Sequence, residues 1–158
     1  MELGRALKAL CDAGVEFVIV GGVSATFHGS AQVTFDLDIC YSRSTDNLQR
    51  LAKALAPFHP RPRGFPANLP FIWDESTLRN GSLFTLTTEL GDIDLLGEVK
   101  GLGNFDDIVP RSITLDAHGY RVRTIDLLSL IQAKRAAGRE KDLRALPELE
   151  SLLDAKDQ

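Results

Sequence analysis

The stretch Val15–Tyr41, VEFVIVGGVSATFHGSAQVTFDLDICY, decides how the chain folds. VEFVIV (Val15 to Val20) is short, rich in β-branched residues and nearly continuous in apolar character, the pattern of a strand covered on both faces. It stops at Gly21-Gly22, so a strand meets a glycine turn. A short helical stretch fits Val23 to Phe27, ahead of His28-Gly29-Ser30. Phe35 to Tyr41 then alternates between apolar and polar residues. That alternation predicts a second strand with Phe35, Leu37 and Ile39 on one face and Asp36, Asp38 and Cys40 on the other.

Outward from this stretch the remaining elements follow. Leu3, Leu7, Leu10 and Cys11 recur at helical spacing, which predicts an amphipathic helix over 3–11 with Cys11 in the core. Ser42 to Ala56 reads as a helix capped by Ser44 or Thr45, with Leu48, Leu51 and Leu55 as its buried stripe and Pro57 as its stop. Five of the seven prolines fall between 57 and 70. This predicts a loop, a lid or a long connection, with Arg61 and Arg63 exposed on it. Ser82–Thr88 with Asp92–Leu96, and Ser112–Asp116 with Tyr120–Ile125, read as strand pairs. Thr124 is then a candidate cap for a helix with Leu127, Leu130 and Ile131 on its inner stripe, ending at Gly138. A last helix runs from about Glu140 through Leu143, Leu146, Leu149, Leu152 and Leu153, interrupted or kinked at Pro147. The whole is an α/β (α+β) chain: a mixed central β-sheet flanked by helices, with a C-terminal helical segment. One domain over 1–158 is expected, an α/β core at 1–123 with the helices of 124–158 packed on it.

Composition narrows the function. With 18 Lys+Arg against 22 Asp+Glu the formal charge is −4, which argues against a nonspecific nucleic-acid coat. No apolar run reaches membrane-spanning length, and MELGRALKALC lacks a signal peptide's apolar region, so the expectation is a cytoplasmic protein with no membrane partner. Cys11 and Cys40 form no CxxC pair, and the three histidines, His28, His59 and His118, are far apart. A zinc site or disulfide scaffold has no support.

The chemistry concentrates in acids. Asp36 and Asp38, at i and i+2, point to one face of a strand, where their mutual repulsion calls for a shared proton, a basic partner or a divalent cation such as Mg²⁺. Taken alone, an Asp-x-Asp reads first as solvated surface aspartates on a half-exposed strand. Gly91-Asp92-Ile93-Asp94-Leu95-Leu96 repeats the pattern on another predicted strand. Gly21-Gly22 with Ser24 just behind allows backbone N–H groups and a hydroxyl to approach a phosphate; taken alone it is a tight turn with a cap. Lys134 continues the stripe of Leu127, Leu130 and Ile131, so its ammonium is expected to turn toward the sheet, as a snorkelling side chain or the partner of a buried acid. Arg139 and Lys141 are further candidate phosphate contacts; Arg135, Arg139 and Arg144 taken singly read as a solvated charge run. His28 reads as structural, and Cys40 has no basic neighbour to make it a nucleophile. Trp73 and the phenylalanines at 58, 65 and 71 read as packing.

Strand, Gly-Gly, a spacer of thirteen residues from Val23 to Phe35, an Asp-x-Asp strand and a later acid together resemble the nucleotidyltransferase superfamily related to DNA polymerase β. GGVSATFHGSAQVTFDLDI is similar to the AbiEii-type branch, found among toxins of type IV toxin–antitoxin systems; where that branch usually carries arginine this chain carries Gln32. GDIDLLGEV and LIQAKRAAGREKDL extend the likeness, with Asp94 matching the third acid and Asp142 a later acidic position.

The resemblance implies a nucleotidyltransferase fold and transfer of a nucleoside monophosphate from an NTP to an acceptor hydroxyl. It implies Asp36, Asp38 and Asp94 as catalytic metal ligands for two Mg²⁺ ions, Mn²⁺ being an alternative. Gly21, Gly22, Ser24, Lys134, Arg139 and Lys141 would bind the NTP. The acceptor is left open among tRNA or other RNA, protein and a small molecule, and a cognate antitoxin is implied as a partner. The competing reading is a noncatalytic NTP-binding or protein-interaction module on the same fold. A metal-dependent phosphohydrolase is disfavoured because no histidine-rich ligand set accompanies the aspartates.

Overall fold

The computed structural model of the chain describes residues 1–157. Helix α1 (Leu3–Asp12) buries Ala6, Leu7 and Leu10, as their spacing requires. Strand β1 (Phe17–Val20) is buried along its length and runs directly into α2 (Gly21–Phe27). Strand β2 (Asp36–Tyr41) alternates, burying Leu37 and Ile39 fully and Asp36 and Asp38 partly. Helix α3 (Thr45–Leu55) opens on Ser44, whose side chain accepts a hydrogen bond from the Asn47 N–H. A 3-10 turn over Ala56–Phe58 leads to the short β3 (Arg61–Pro62) and to α4 (Glu75–Arg79), which Asp74 caps. The hairpin β4 (Leu83–Thr88) and β5 (Gly91–Leu96) follows, then the small pair β6 (Glu98–Val99) and β7 (Gly103–Asn104), and α5 (Phe105–Ile108). The hairpin β8 (Ser112–Ala117) and β9 (Tyr120–Ile125) leads to α6 (Leu127–Ala137) and α7 (Glu140–Lys156).

Seven strands form one mixed sheet in the order β3-β4-β5-β2-β1-β9-β8. Strands β2 and β5, and β1 and β9, pair in parallel; the other neighbours are antiparallel. Helices α1, α3 and α4 cover one face, packing Leu7, Leu51 and Leu78 against Ile19, Leu37, Ile39, Ile93 and Leu95. Each such aliphatic side chain contributes about 1.5–3 kcal/mol through burial. The opposite face is covered over only part of its width: Val18, Val20 and Cys40 lie under α5, α6 and α7. Over β4 that face is open, with Leu83, Thr85 and Thr87 exposed. The aspartates of β2 and β5 stand at the border between the covered and open parts. No helix among the described residues is long and apolar enough to cross a membrane.

Several expectations are corrected. Phe35 precedes β2 and is 78% exposed, so it is not on the buried face with Leu37 and Ile39. Thr124 caps nothing; it is buried within β9, and Asp126 caps α6 by accepting from the Ser129 N–H. Cys11 is half-buried against the core rather than inside it. Pro57 sits in the 3-10 turn that continues α3, and Pro147 lies inside α7 without ending it. The proline-rich segment is not a plain loop. Arg61 and Pro62 pair with Thr87 and Leu86 as an edge strand, the position in a sheet that tolerates proline. Arg61 donates to the carbonyls of Pro66 (2.9 Å) and Leu69 (2.8 Å) and covers the Phe65 ring. Trp73 packs against the core, as expected, and donates to Ala52 O at 2.8 Å.

Candidate active site

The four strand aspartates form a two-by-two grid. Parallel pairing sets Asp36 beside Asp92 and Asp38 beside Asp94, on the face opposite the buried Leu37, Ile39, Ile93 and Leu95. Neighbouring strands lie about 4.8 Å apart, so the ladder itself crowds like charges. Asp36, Asp38 and Asp94 each offer an oxygen within 4.8 Å of the others. Asp92 is engaged elsewhere: its carboxylate lies 3.2 Å from Arg63 Nε, and Thr87 Oγ1 donates to it at 3.3 Å. The same guanidinium donates through Nη2 to Asp94 Oδ1 at 2.8 Å and to Leu86 O at 3.1 Å.

Asp38 is the most strained of the group electrostatically. Burial, then the charges of Asp36 and Asp94 and a hydrogen bond shared with Asp94, push its carboxyl up to about 7; Lys134 pulls the other way. Asp38 Oδ1 is buried with no hydrogen-bond partner. Three converging carboxylates, that of Asp38 with an orphaned buried oxygen, form a hard, oxygen-only donor set able to hold a metal ion.

Gly21 makes this arrangement possible. Its φ is +66°, and a Cβ there would collide with Asp38 Oδ2, so only glycine turns β1 into α2 this close to the carboxylate. A Cβ on Gly22 would lie 2.6 Å from Thr34 Oγ1.

The opposite wall comes from the junction of α6 and α7. Lys134, Arg139, Lys141 and Arg144 line one cavity of about 730 Å³ together with Asp36, Asp38 and Asp94. Asp142, its side chain 1% exposed, holds two of these cations: Arg139 Nε at 2.7 Å and Lys134 Nζ at 3.5 Å. Burial opposes ionisation of Asp142, but the Arg139 hydrogen bond and the charges of Lys134 and Arg139 outweigh it and hold the carboxyl below its ordinary range. The loop from Ser30 to Phe35 supplies the rim, tied to α7 where Ser30 Oγ (2.5 Å) and the Ala31 N–H (3.0 Å) donate to Glu148.

Of the residues expected at the site, Asp36, Asp38, Asp94, Gly22, Lys134, Arg139 and Lys141 meet at this cavity, and Gly21 packs against Asp38. Ser24 does not. It is fully buried, donating to Ile125 O (3.3 Å) and accepting from Thr124 Oγ1 (2.6 Å), so its hydroxyl joins α2 to β9. His28 donates to Ile125 O at 2.7 Å, and its burial lowers its pKa. Burial pushes the Cys40 thiol up to about 12, which leaves it inert. Sequence reasoning missed Arg63, because prolines on either side disguised an extended segment. It also passed over Glu148 and left Arg144 among solvated charges; nothing in helical periodicity marks which charged residues face a cavity.

No protein-family model matches the chain, and no curated protein matches it. Among solved structures it is similar to the crystal structure of "a putative nucleotidyltransferase (TM1012)" from Thermotoga maritima, with a TM-score of 0.61 and 15% identity over 94% of this chain and 90% of that one. At that identity the likeness concerns architecture alone: the mixed sheet flanked by helices matches a nucleotidyltransferase-like fold.

Proposed function

We propose that the chain is a metal-dependent nucleotidyltransferase that moves a nucleoside monophosphate from an NTP to an acceptor hydroxyl. The observation that carries this reading is the one cavity in which Asp36, Asp38 and Asp94 face Lys134, Arg139 and Lys141. Anions and cations on opposite walls suit a metal–triphosphate complex, which is itself charged both ways. The acceptor hydroxyl releases its proton to solvent as its oxygen attacks the α-phosphorus, the bond from that phosphorus to the bridging β-phosphate oxygen breaks, and pyrophosphate leaves.

Such an in-line transfer depends on alignment and charge neutralisation more than on a protein nucleophile. The site agrees: Cys40 is inert and His28 is committed to the fold. Asp36 and Asp38 would hold two Mg²⁺ ions and Asp94 one of them, and the bound metal would acidify the acceptor hydroxyl and offset phosphate charge. Gly21 and Gly22 let the backbone approach the phosphates. Lys134 and Arg139 neutralise the triphosphate, oriented by Asp142, and Lys141 adds a third cation. In this reading residues 1–123 are the catalytic core and 124–158 complete it, since the cations come from α6 and α7. The acceptor is an RNA such as a tRNA end, a protein side chain or a small molecule. The AbiEii-type toxin role, with its antitoxin, rests on the string GGVSATFHGSAQVTFDLDI.

The test is incubation of wild type and Asp36→Ala with each α-³²P-labelled NTP, Mg²⁺ and cell lysate, with gels for labelled RNA and protein and chromatography for labelled small molecules. Label with wild type alone is expected, and it identifies the acceptor class. No label from any NTP, despite Mg²⁺·NTP binding, favours the noncatalytic module.

A further inference from the structure

Arg63 reaches the acid cluster from outside the elements that carry the acids. Its backbone N–H donates to Thr85 O at 2.8 Å, extending the edge pairing of β3 by one residue, and its guanidinium meets three acceptors: Leu86 O, Asp92 and Asp94. Asp94 is thereby shared. One of its oxygens takes the Arg63 Nη2 hydrogen bond, while its carboxylate also belongs to the set that converges with Asp36 and Asp38. Asp92, its neighbour two residues away on the same face, is drawn to Arg63 and away from that set.

Resting on the metal-site reading above, we infer that Arg63 is the positioning residue of the third metal ligand: its fork fixes the Asp94 carboxylate and occupies Asp92, so that the grid of four acids presents three. Metal-ligating carboxylates are ordinarily held by such an outer partner, and loss of the partner typically costs 10–100-fold in metal affinity or activity. Arg63 suits the task because a planar guanidinium grips two carboxylates and a carbonyl at fixed angles, which an ammonium does not.

Electrostatics gives the inference a sign that separates it from its rival. If Arg63 acted only as a nearby positive charge, or as a cation competing for Asp94, its removal would tighten binding of a divalent cation. If it acted only to pin the edge strand, its removal would leave metal affinity where it was. A positioning role alone makes affinity fall when a positive charge is taken away.

The experiment is titration of Mn²⁺ into wild type, Arg63→Ala, Arg63→Lys and Asp92→Asn, followed by electron paramagnetic resonance of free Mn²⁺, with circular dichroism and thermal unfolding as controls for folding. Affinity is expected to fall about 10–100-fold in Arg63→Ala, to recover only in part in Arg63→Lys, and to stay within about threefold in Asp92→Asn, where the Asp94 contact survives. Tighter or unchanged Mn²⁺ binding by folded Arg63→Ala overturns the assignment, as does full recovery in Arg63→Lys. Should Arg63→Ala lose its fold, Arg63→Lys and Asp92→Asn decide alone: a loss confined to the lysine variant supports positioning, and equal affinities in both overturn it. Absence of Mn²⁺ binding in wild type overturns the metal site itself, an outcome distinct from the others.

Discussion

Asp38 and Asp94 are register partners on adjacent parallel strands, so the hydrogen-bonded ladder, rather than a loop, sets the spacing of their carboxylates. Their closeness is a cost that the backbone imposes and that a proton or a cation relieves.

The first consequence is an inverted pH dependence. Asp38 binds its proton up to about pH 7 in the folded chain but only to its ordinary value of 3.8 when unfolded. Between those values the folded state holds more protons, so stability falls as pH rises through that window. Asp38→Asn should therefore be more stable than wild type at pH 8 in EDTA, because the variant escapes the cost of ionising this carboxyl, which comes first from its burial and then from the charges of Asp36 and Asp94. Mg²⁺ should stabilise wild type and leave the variant unmoved. Urea unfolding at pH 5 and pH 8 checks both; a variant less stable at pH 8 contradicts the account.

Gly21→Ala should damage the site before it damages the fold. The left-handed φ costs an alanine about 1–2 kcal/mol, and its methyl would displace Asp38. Mn²⁺ affinity is expected to drop while circular dichroism remains that of wild type.

Ser24→Ala tests the correction to a phosphate-binding expectation. Removing a buried hydroxyl that joins α2 to β9 should cost about 1 kcal/mol of stability and leave NTP affinity unchanged. Lys134→Ala should do the reverse, weakening triphosphate binding with little effect on unfolding.

Asp142→Ala should cost about 1 kcal/mol, because it removes the carboxylate that accepts from the Arg139 N–H at the start of α7 and frees Lys134 and Arg139 from their shared partner. Its KM for NTP should rise, and thermal unfolding with nucleotide-binding titrations separates the two effects.

His28 gives an acid-side prediction. Its pKa is lowered by burial, so above its unfolded value the neutral ring is in place, and stability is lost as pH falls from there through the folded value. Asp38 works in the opposite sense over an overlapping range. The comparison belongs in the Asp38→Asn background, where His28→Gln should flatten the fall in stability between pH 7 and pH 5.

The sequence was legible where periodicity and chemistry coincided. Leu37 and Ile39 alternate with Asp36 and Asp38, so one pattern disclosed both the core and the acids. Lys134 was placed by extending the stripe of Leu130 and Ile131. Arg63 was not legible, because its role depends on pairing with Thr85 and Leu86, more than twenty residues away, and local composition announced a loop. Ser24 was misread for a related reason: a hydroxyl behind a glycine turn looks the same whether it faces a cavity or Ile125 O.

The alternation in β2 has a consequence for how errors in this protein are policed. A slip of β2 by one residue against β1 and β5 would drive Asp36 and Asp38 into the face held by Leu7, Leu51 and Leu78 and cast Leu37 and Ile39 into water. Such a chain would fail to fold rather than fold with a misaligned site. The register of the acids is therefore policed by the folding transition, and any molecule that has acquired the core has, by the same event, put Asp36 and Asp38 on the right face, leaving only the fine aim of their carboxylates to neighbours such as Gly21 and Arg63.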